Sequence, residues 1–405
     1  MIKVPLAFCI QLCMFFSVLN TVAAETTEDV LEKFRVTRES IKAEQKTLET
    51  SGNPQRRSLT RGDVEQFIAE KRKLNQTIDL TGALGTNLSG LDLSGIDFSD
   101  AIMHRVDLTK SKLDGCKFVN TFIEKAIFVE TSLKGAKFVN CEIGGADFTK
   151  ADLQDSYFEN DFSENAIFNS TNLSNSTIIS SDYTNSFFDK TNFTKSRITN
   201  SKFKSSIFSN LKNSNVYWES SNFAHSQFIN TTFNNSVLKA IYCGHCKIDS
   251  ANFNDSVVFA CNFQQAKMAN LAMDNVQAEA MNFSNVTANS ISFTNSDLKF
   301  ALFAESMIQN AKFILCGLVK ANFSKSTIKK GNFSSVNLKN SNFYNTMLSD
   351  VQINNAYLFA INFAKSTLDG VQINWSNLKA ANFTKSDAKS IKVNNSLMDS
   401  ELPSN

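Results

Sequence analysis

From Leu88 to Met398 every fifth residue is, with few exceptions, large and apolar, and the frame is never lost. The groups begin Thr86-Asn87-Leu88-Ser89-Gly90, Leu91-Asp92-Leu93-Ser94-Gly95 and Ile96-Asp97-Phe98-Ser99-Asp100. The third residue of each group is its centre. The residue two before the centre is mostly small, as in Ala101, Ala126, Ser186, Thr231, Cys261 and Ala321, and the one just before it is often Asn or Asp. Alternation along an extended backbone points the centre and the residue two before it the same way. The large side chain fills the core and the small one packs beside a corner. The last residue of each group is often Gly or Asn (Gly90, Gly135, Asn185, Asn295), the types that best tolerate a turn with positive φ.

Internal repetition on this scale decides the fold before any other feature. The pattern resembles the pentapeptide-repeat family, whose repeat reads A(D/N)LXX. Ala146-Asp147-Phe148-Thr149-Lys150, Ala151-Asp152-Leu153-Gln154-Asp155 and Ala321-Asn322-Phe323-Ser324-Lys325 carry the likeness. The resemblance implies an all-β solenoid, a right-handed quadrilateral parallel β-helix with four groups per coil. Residues twenty apart then stack in columns. The groups suffice for about sixteen coils, a rod of roughly 75 Å at about 4.8 Å per coil.

Phe marks two regions of this solenoid. Early on it occupies one opposed pair of faces (Phe118, Phe138 and Phe158; Phe128, Phe148 and Phe168), and Leu or Ile fills the other pair. Beyond about Leu238 the pairs exchange, which holds core volume roughly constant. Between Ile178 and Leu238 aromatic centres crowd three faces or more and Asn213 interrupts, so the coil is expected to widen there. Leu211 is placed to fill the space that Asn213 leaves. Asp161-Phe162-Ser163 sets polar residues at both inward positions, and a one-residue slip would turn Phe162 inward.

Before the repeats, residues 1–24 read as a secretory signal peptide: Lys3, an apolar run from Val4 to Leu19, and the small-residue site Val22-Ala23-Ala24. This predicts export, to a periplasm or beyond, with no integral membrane segment once the signal is cleaved. Residues 25–77 read as a helical cap over the first coil. Val30, Phe34, Ile41 and Leu48 recur at helical spacing, and a second helix begins near Asp63 with Gln66 as its capping-box partner and Val64, Phe67, Ile68 and Leu74 as its apolar face. Its basic residues, Arg61 and Arg72 among them, offer an alternative role toward an anionic partner. Residues 78–400 form the β-helix and 401–405 a tail.

Little in the chain carries chemistry. Cys243-Gly244-His245-Cys246 resembles the redox motif of disulfide isomerases, which makes a thiol-redox protein the alternative function. Both cysteines point into the core, however, either as small core residues or as a local disulfide. Cys116, Cys141, Cys261 and Cys316 occupy the small inward position. His225 and His245 are twenty apart at one outward turn position and should stack as an exposed pair; no third metal ligand is evident nearby. Asn-Phe-Ser and Asn-Phe-Thr triplets are written by the repeat itself and say nothing about glycosylation. Six lysines between Glu305 and Asp350 fall on all four faces, where a nucleic-acid groove needs them on one. No cofactor loop, catalytic triad or carboxylate pair is apparent.

The expected role is therefore an exported, non-catalytic scaffold or protein-binding rod. Phe300, Leu315, Phe359 and Trp375 are the candidate contact residues, because they are apolar at outward positions. Phe383, Ile391 and Met398 should lie near the C-terminal open face, where a partner protein or a second copy in an end-to-end homodimer would cover the unpaired edge. Some members of the resembled family mimic duplex DNA and bind type II topoisomerases. That role implies a cytoplasmic protein with an acidic face, whereas this chain has a signal peptide and a formal charge of +2.

Overall fold

The computed structural model describes residues 61–74, 87–388, 390–399 and 402. The expected signal peptide, the first expected helix and most of the tail lie outside them. The described chain is a parallel β-solenoid of about 14 turns with one short N-terminal helix. Counting every group gives about sixteen; the terminal groups lack a neighbour on one side and complete fewer paired turns. Two compact units are present. The first runs to Leu211 and includes Trp218–Asn222; the second comprises Lys212–Tyr217 and the chain from Phe223 onward.

Every parallel pairing within each unit advances by twenty residues. In the first, Lys117, Phe118 and Val119 face Lys137, Phe138 and Val139. In the second, Lys312, Phe313 and Ile314 face Asn332, Phe333 and Ser334. Four sides of five residues thus make one coil. The corners explain the period: nearly every fifth residue has φ near +55°, from Asp100 (61°) to Asn395 (49°). Asn and Gly are common there because that region strains other side chains.

Core columns are aromatic stacks. Phe138 lies 4.6 Å from Phe118 with planes 5° apart, and Phe323 lies 4.7 Å from Phe303 at 3°. The small inward position does more than save space. Its hydroxyls reach back to a carbonyl of the preceding coil, as in Ser111 Oγ to Leu88 O at 2.7 Å and Thr131 Oγ1 to Leu108 O at 2.8 Å. Cys116 Sγ reaches Leu93 O in the same way at 3.1 Å. These bonds satisfy polar atoms that burial would otherwise penalise.

Several expectations are corrected. The chain does not slip at Asp161: Phe162 pairs with Glu142 and with Asp182 in the ordinary register, so Asp161 and Ser163 face inward and are fully buried. The ladder outweighs one unfavourable group, because a slip breaks pairing on both sides. In the first unit the crowded aromatic centres meet at tilted angles. Phe188 meets Phe193 at 48° and Phe203 meets Phe208 at 58°, while the ladder bond from Phe203 N to Asn222 O stays at 2.7 Å. In the second unit Asn213 occupies its inward position and is buried; in the first, Leu211 is buried at its own small position.

The helix α1 spans Arg61–Lys73, so it begins two residues before Asp63, and Gln66 bonds Glu70 Oε1 at 2.9 Å instead of capping. Val64 and Ile68 are buried, Phe67 is half-buried and Leu74 is 64% exposed, which removes Leu74 from the packed face. Arg61 Nη1 donates to Ser89 O at 2.6 Å and Arg72 Nη2 to Ser94 O at 3.2 Å, so two basic residues fasten the helix to the first coils. Leu88 and Leu93 of those coils are fully buried. Among the described residues no helix is long and apolar enough to cross a membrane.

Candidate functional site

Because the ladder consumes the backbone and the columns consume the inward side chains, surface function is left to the outward positions and the turns. Leu315 and Trp375 lie in one turn column, three coils apart, and are 58% and 63% exposed. Both hold the left-handed conformation, at φ 56° and 53°. Their amides donate to Ser334 O at 2.9 Å and Asn394 O at 3.0 Å, so the ladder fixes that conformation. A bulky exposed side chain in this region strains the backbone without contributing to the core.

The other two candidates are less open. Phe300 is half-buried, with Lys320 Nζ 5.5 Å from its ring centroid. Phe359 is half-buried between Lys339 Nζ at 5.8 Å and the Tyr357 ring at 6.1 Å. Lysine ammonium groups over ring faces are attracted by the ring quadrupole and screen it from water. The structure adds exposed residues that the turn positions alone do not reveal: Phe259 at 46%, Met307 at 60% and Met347 at 57%. They sit on the flat sides, one residue before or after a centre. An outward apolar residue beside a centre is the sequence signal available for them.

At the last described coils Phe383 is only 7% exposed and stacks 5.3 Å from Phe363. Ile391, Val393 and Met398 are half-buried, where equivalent positions in earlier coils are buried.

Cys243 and Cys246 form a disulfide, with Cα atoms 5.4 Å apart. Both are nearly inaccessible, and the Tyr242 ring lies over Gly244, where an added Cβ would come within 2.5 Å of Tyr242 Oη. The bridge is therefore a staple inside one turn of the second unit. His245 projects from that turn to solvent and stacks on His225, with ring centroids 4.8 Å apart and planes 4° apart. Burial pushes the thiols of Cys116 and Cys261 up to about 12 and that of Cys316 to about 11, which leaves them protonated. Among the described residues no group of three or more His, Cys, Asp or Glu is arranged to hold a metal.

These features define a class: a closed-register parallel solenoid whose coils are four five-residue groups and whose variable chemistry is confined to its surface. Pentapeptide repeats match residues 85–120, 124–160 and 171–210, and a pentapeptide repeat region matches 306–383. Over these segments the chain matches pentapeptide-repeat families. No curated protein matches the chain. Among solved structures, trypsin-treated QnrB1, a plasmid-mediated fluoroquinolone resistance protein, is 16% identical over 49% of this chain and 90% of its own, with a TM-score of 0.32. A pentapeptide repeat protein of the Arabidopsis thaliana thylakoid lumen is 30% identical over 25% of this chain and 66% of its own, with a TM-score of 0.20. HetL, involved in heterocyst differentiation regulation in the cyanobacterium Nostoc sp. strain PCC 7120, is 13% identical over 83% and 98%, with a TM-score of 0.15.

Proposed function

We propose that this protein is an exported, non-catalytic scaffold that binds a protein partner along its solenoid. The observation that carries the reading is the Leu315–Trp375 column: two large apolar side chains kept exposed on left-handed backbone, where Asn or Gly is less strained. Export rests on the residues of the first 24 positions, and N-terminal sequencing of the mature form should begin at or near Glu25. The binding claim is tested by comparing proteins captured from envelope fractions by the wild type and by a Leu315→Asn, Trp375→Asn variant of unchanged circular dichroism. A specific partner retained by the first and lost by the second supports the reading; identical captures refute it.

The half-buried Ile391, Val393 and Met398 favour a second contact, an end-to-end pairing of two copies through the last coil. Light scattering at micromolar concentration tests it. A dimer that Ile391→Lys converts to monomer is expected, and a monomer indifferent to that change excludes the pairing.

A further inference from the structure

We propose that His225 and His245 form a two-imidazole site for a borderline divalent transition ion such as Cu2+ or Zn2+. The chain has three histidines, and two of them occupy the same turn position on consecutive coils of the second unit. Their backbones are fixed: His225 N donates to Gly244 O at 2.9 Å and His245 N to Gln264 O at 3.0 Å. The Cys243–Cys246 disulfide closes the turn that carries His245, and Cys246 N donates to Cys243 O across it at 3.2 Å. The backbone carrier is held by these bonds while both rings are exposed to solvent.

Imidazole nitrogens bind Zn2+ at about 2.0–2.1 Å, so two on one ion lie at most about 4.2 Å apart. Imidazole lone pairs lie in the ring planes, so rings now parallel at 4.8 Å must each swing by roughly 45° to converge on one ion. Among the described residues neither imidazole makes a hydrogen bond or an ion pair that would oppose it. The next residues of the same column are Gln265 and Asn285, both uncharged, so no ammonium flanks the pair there. With two protein ligands, water completes the coordination shell, which makes the site open and exchangeable. Imidazole as donor selects Zn2+, Cu2+ and Ni2+ over the hard ions Mg2+ and Ca2+.

The experiment is calorimetric titration of the full mature protein with Zn2+ and with Cu2+, with electron paramagnetic resonance of the Cu2+ form. Variants His225→Asn and His245→Asn suit the backbone, since Asn already fills equivalent turns such as Asn235 at φ 53°. One equivalent of ion, coupling to two nitrogens, and at least tenfold weaker binding in each variant but not in His104→Asn are expected. Binding that survives both substitutions, or that His104→Asn weakens equally, overturns the proposal. Unsubstituted protein offers a second measurement: Zn2+ should protect His225 and His245 from diethyl pyrocarbonate, and absence of protection counts against the site.

Discussion

Cys141 and Asp161 lie twenty residues apart in one core column, and the backbone N–H of Cys141 donates to Asp161 Oδ1 at 2.7 Å. The other carboxyl oxygen of Asp161 is buried without a partner among the described residues, as are Ser163 Oγ and the hydroxyl of Tyr183. Burial raises the Asp161 carboxyl well above its ordinary range; it also raises Cys141 and Tyr183, with a further push from the Asp161 charge. This polar knot sits among Phe158 and Phe168, whose rings lie 6.4 Å and 5.7 Å from that of Tyr183.

The knot predicts a pH dependence. The folded-state pKa of Asp161 is raised, so its stabilising effect is complete below the unfolded value of about 4 and falls as pH rises toward the folded value. The loss is about 1.4 kcal/mol per pH unit over that window. Asp161→Asn removes the titration. Melting temperatures of the two proteins should diverge in favour of the variant from about pH 5 upward. A constant difference between about pH 4 and 8 would show that Asp161 ionises freely in the fold.

The free thiols should be silent. Cys116, Cys141, Cys261 and Cys316 are buried with raised pKa values, so the folded mature protein should yield none to a thiol reagent near neutral pH. In protein that begins at Glu25, denaturation should release these four and reduction of the Cys243–Cys246 bridge two more; Cys9 and Cys13 add two where residues 1–24 are retained. Rapid labelling of any one in native buffer contradicts the assigned core.

The core and the corner should respond differently to the same charge. Phe323 is fully buried between Phe303 and Phe343, with centroids at 4.7 Å and 4.6 Å. Phe323→Asp removes that packing and buries an unpaired carboxylate, a loss of more than about 4 kcal/mol. Lys325 is exposed and pairs with Glu305 at 3.1 Å, so Lys325→Asp should cost no more than about 1 kcal/mol. Denaturant midpoints decide, and equal shifts would refute the frame.

Trp375→Asn should raise stability. The substitution places a residue that tolerates φ near 53° where an exposed indole now stands, a gain of about 0.5–1 kcal/mol. Calorimetry of the variant checks it. A lower melting temperature would mean that the indole packs against its own fold, and the contact role of Trp375 would fall with it.

The column arithmetic is legible in the sequence because a large apolar centre every fifth residue and a turn-tolerant residue two places later are both composition signals. The same arithmetic places His225 over His245. The hydroxyl bonds of Ser111 and Thr131 are not legible, since a small inward residue reads as Ala whether or not it donates. Asp161 misleads because a single polar group weighed alone favours a slip, while its register is set by pairing on two sides. Helical spacing puts Leu74 on the packed face, but spacing does not say where the coil beneath ends. Phe300 and Phe359 look open in the repeat pattern because their covers, Lys320 and Lys339, come from the next coil or the previous one and are invisible to local pattern.

The left-handed corner at every fifth residue governs how such a chain changes length. Deleting five residues between Leu315 and Phe323 carries each later group one side around the coil, so Phe323 would leave its stack on Phe303 and Trp375 would leave the side it shares with Leu315. Deleting or duplicating twenty returns every group to its own side. A gene of this kind can gain or lose whole coils while its surface pattern stays aligned, and shorter indels scramble both core and surface at once.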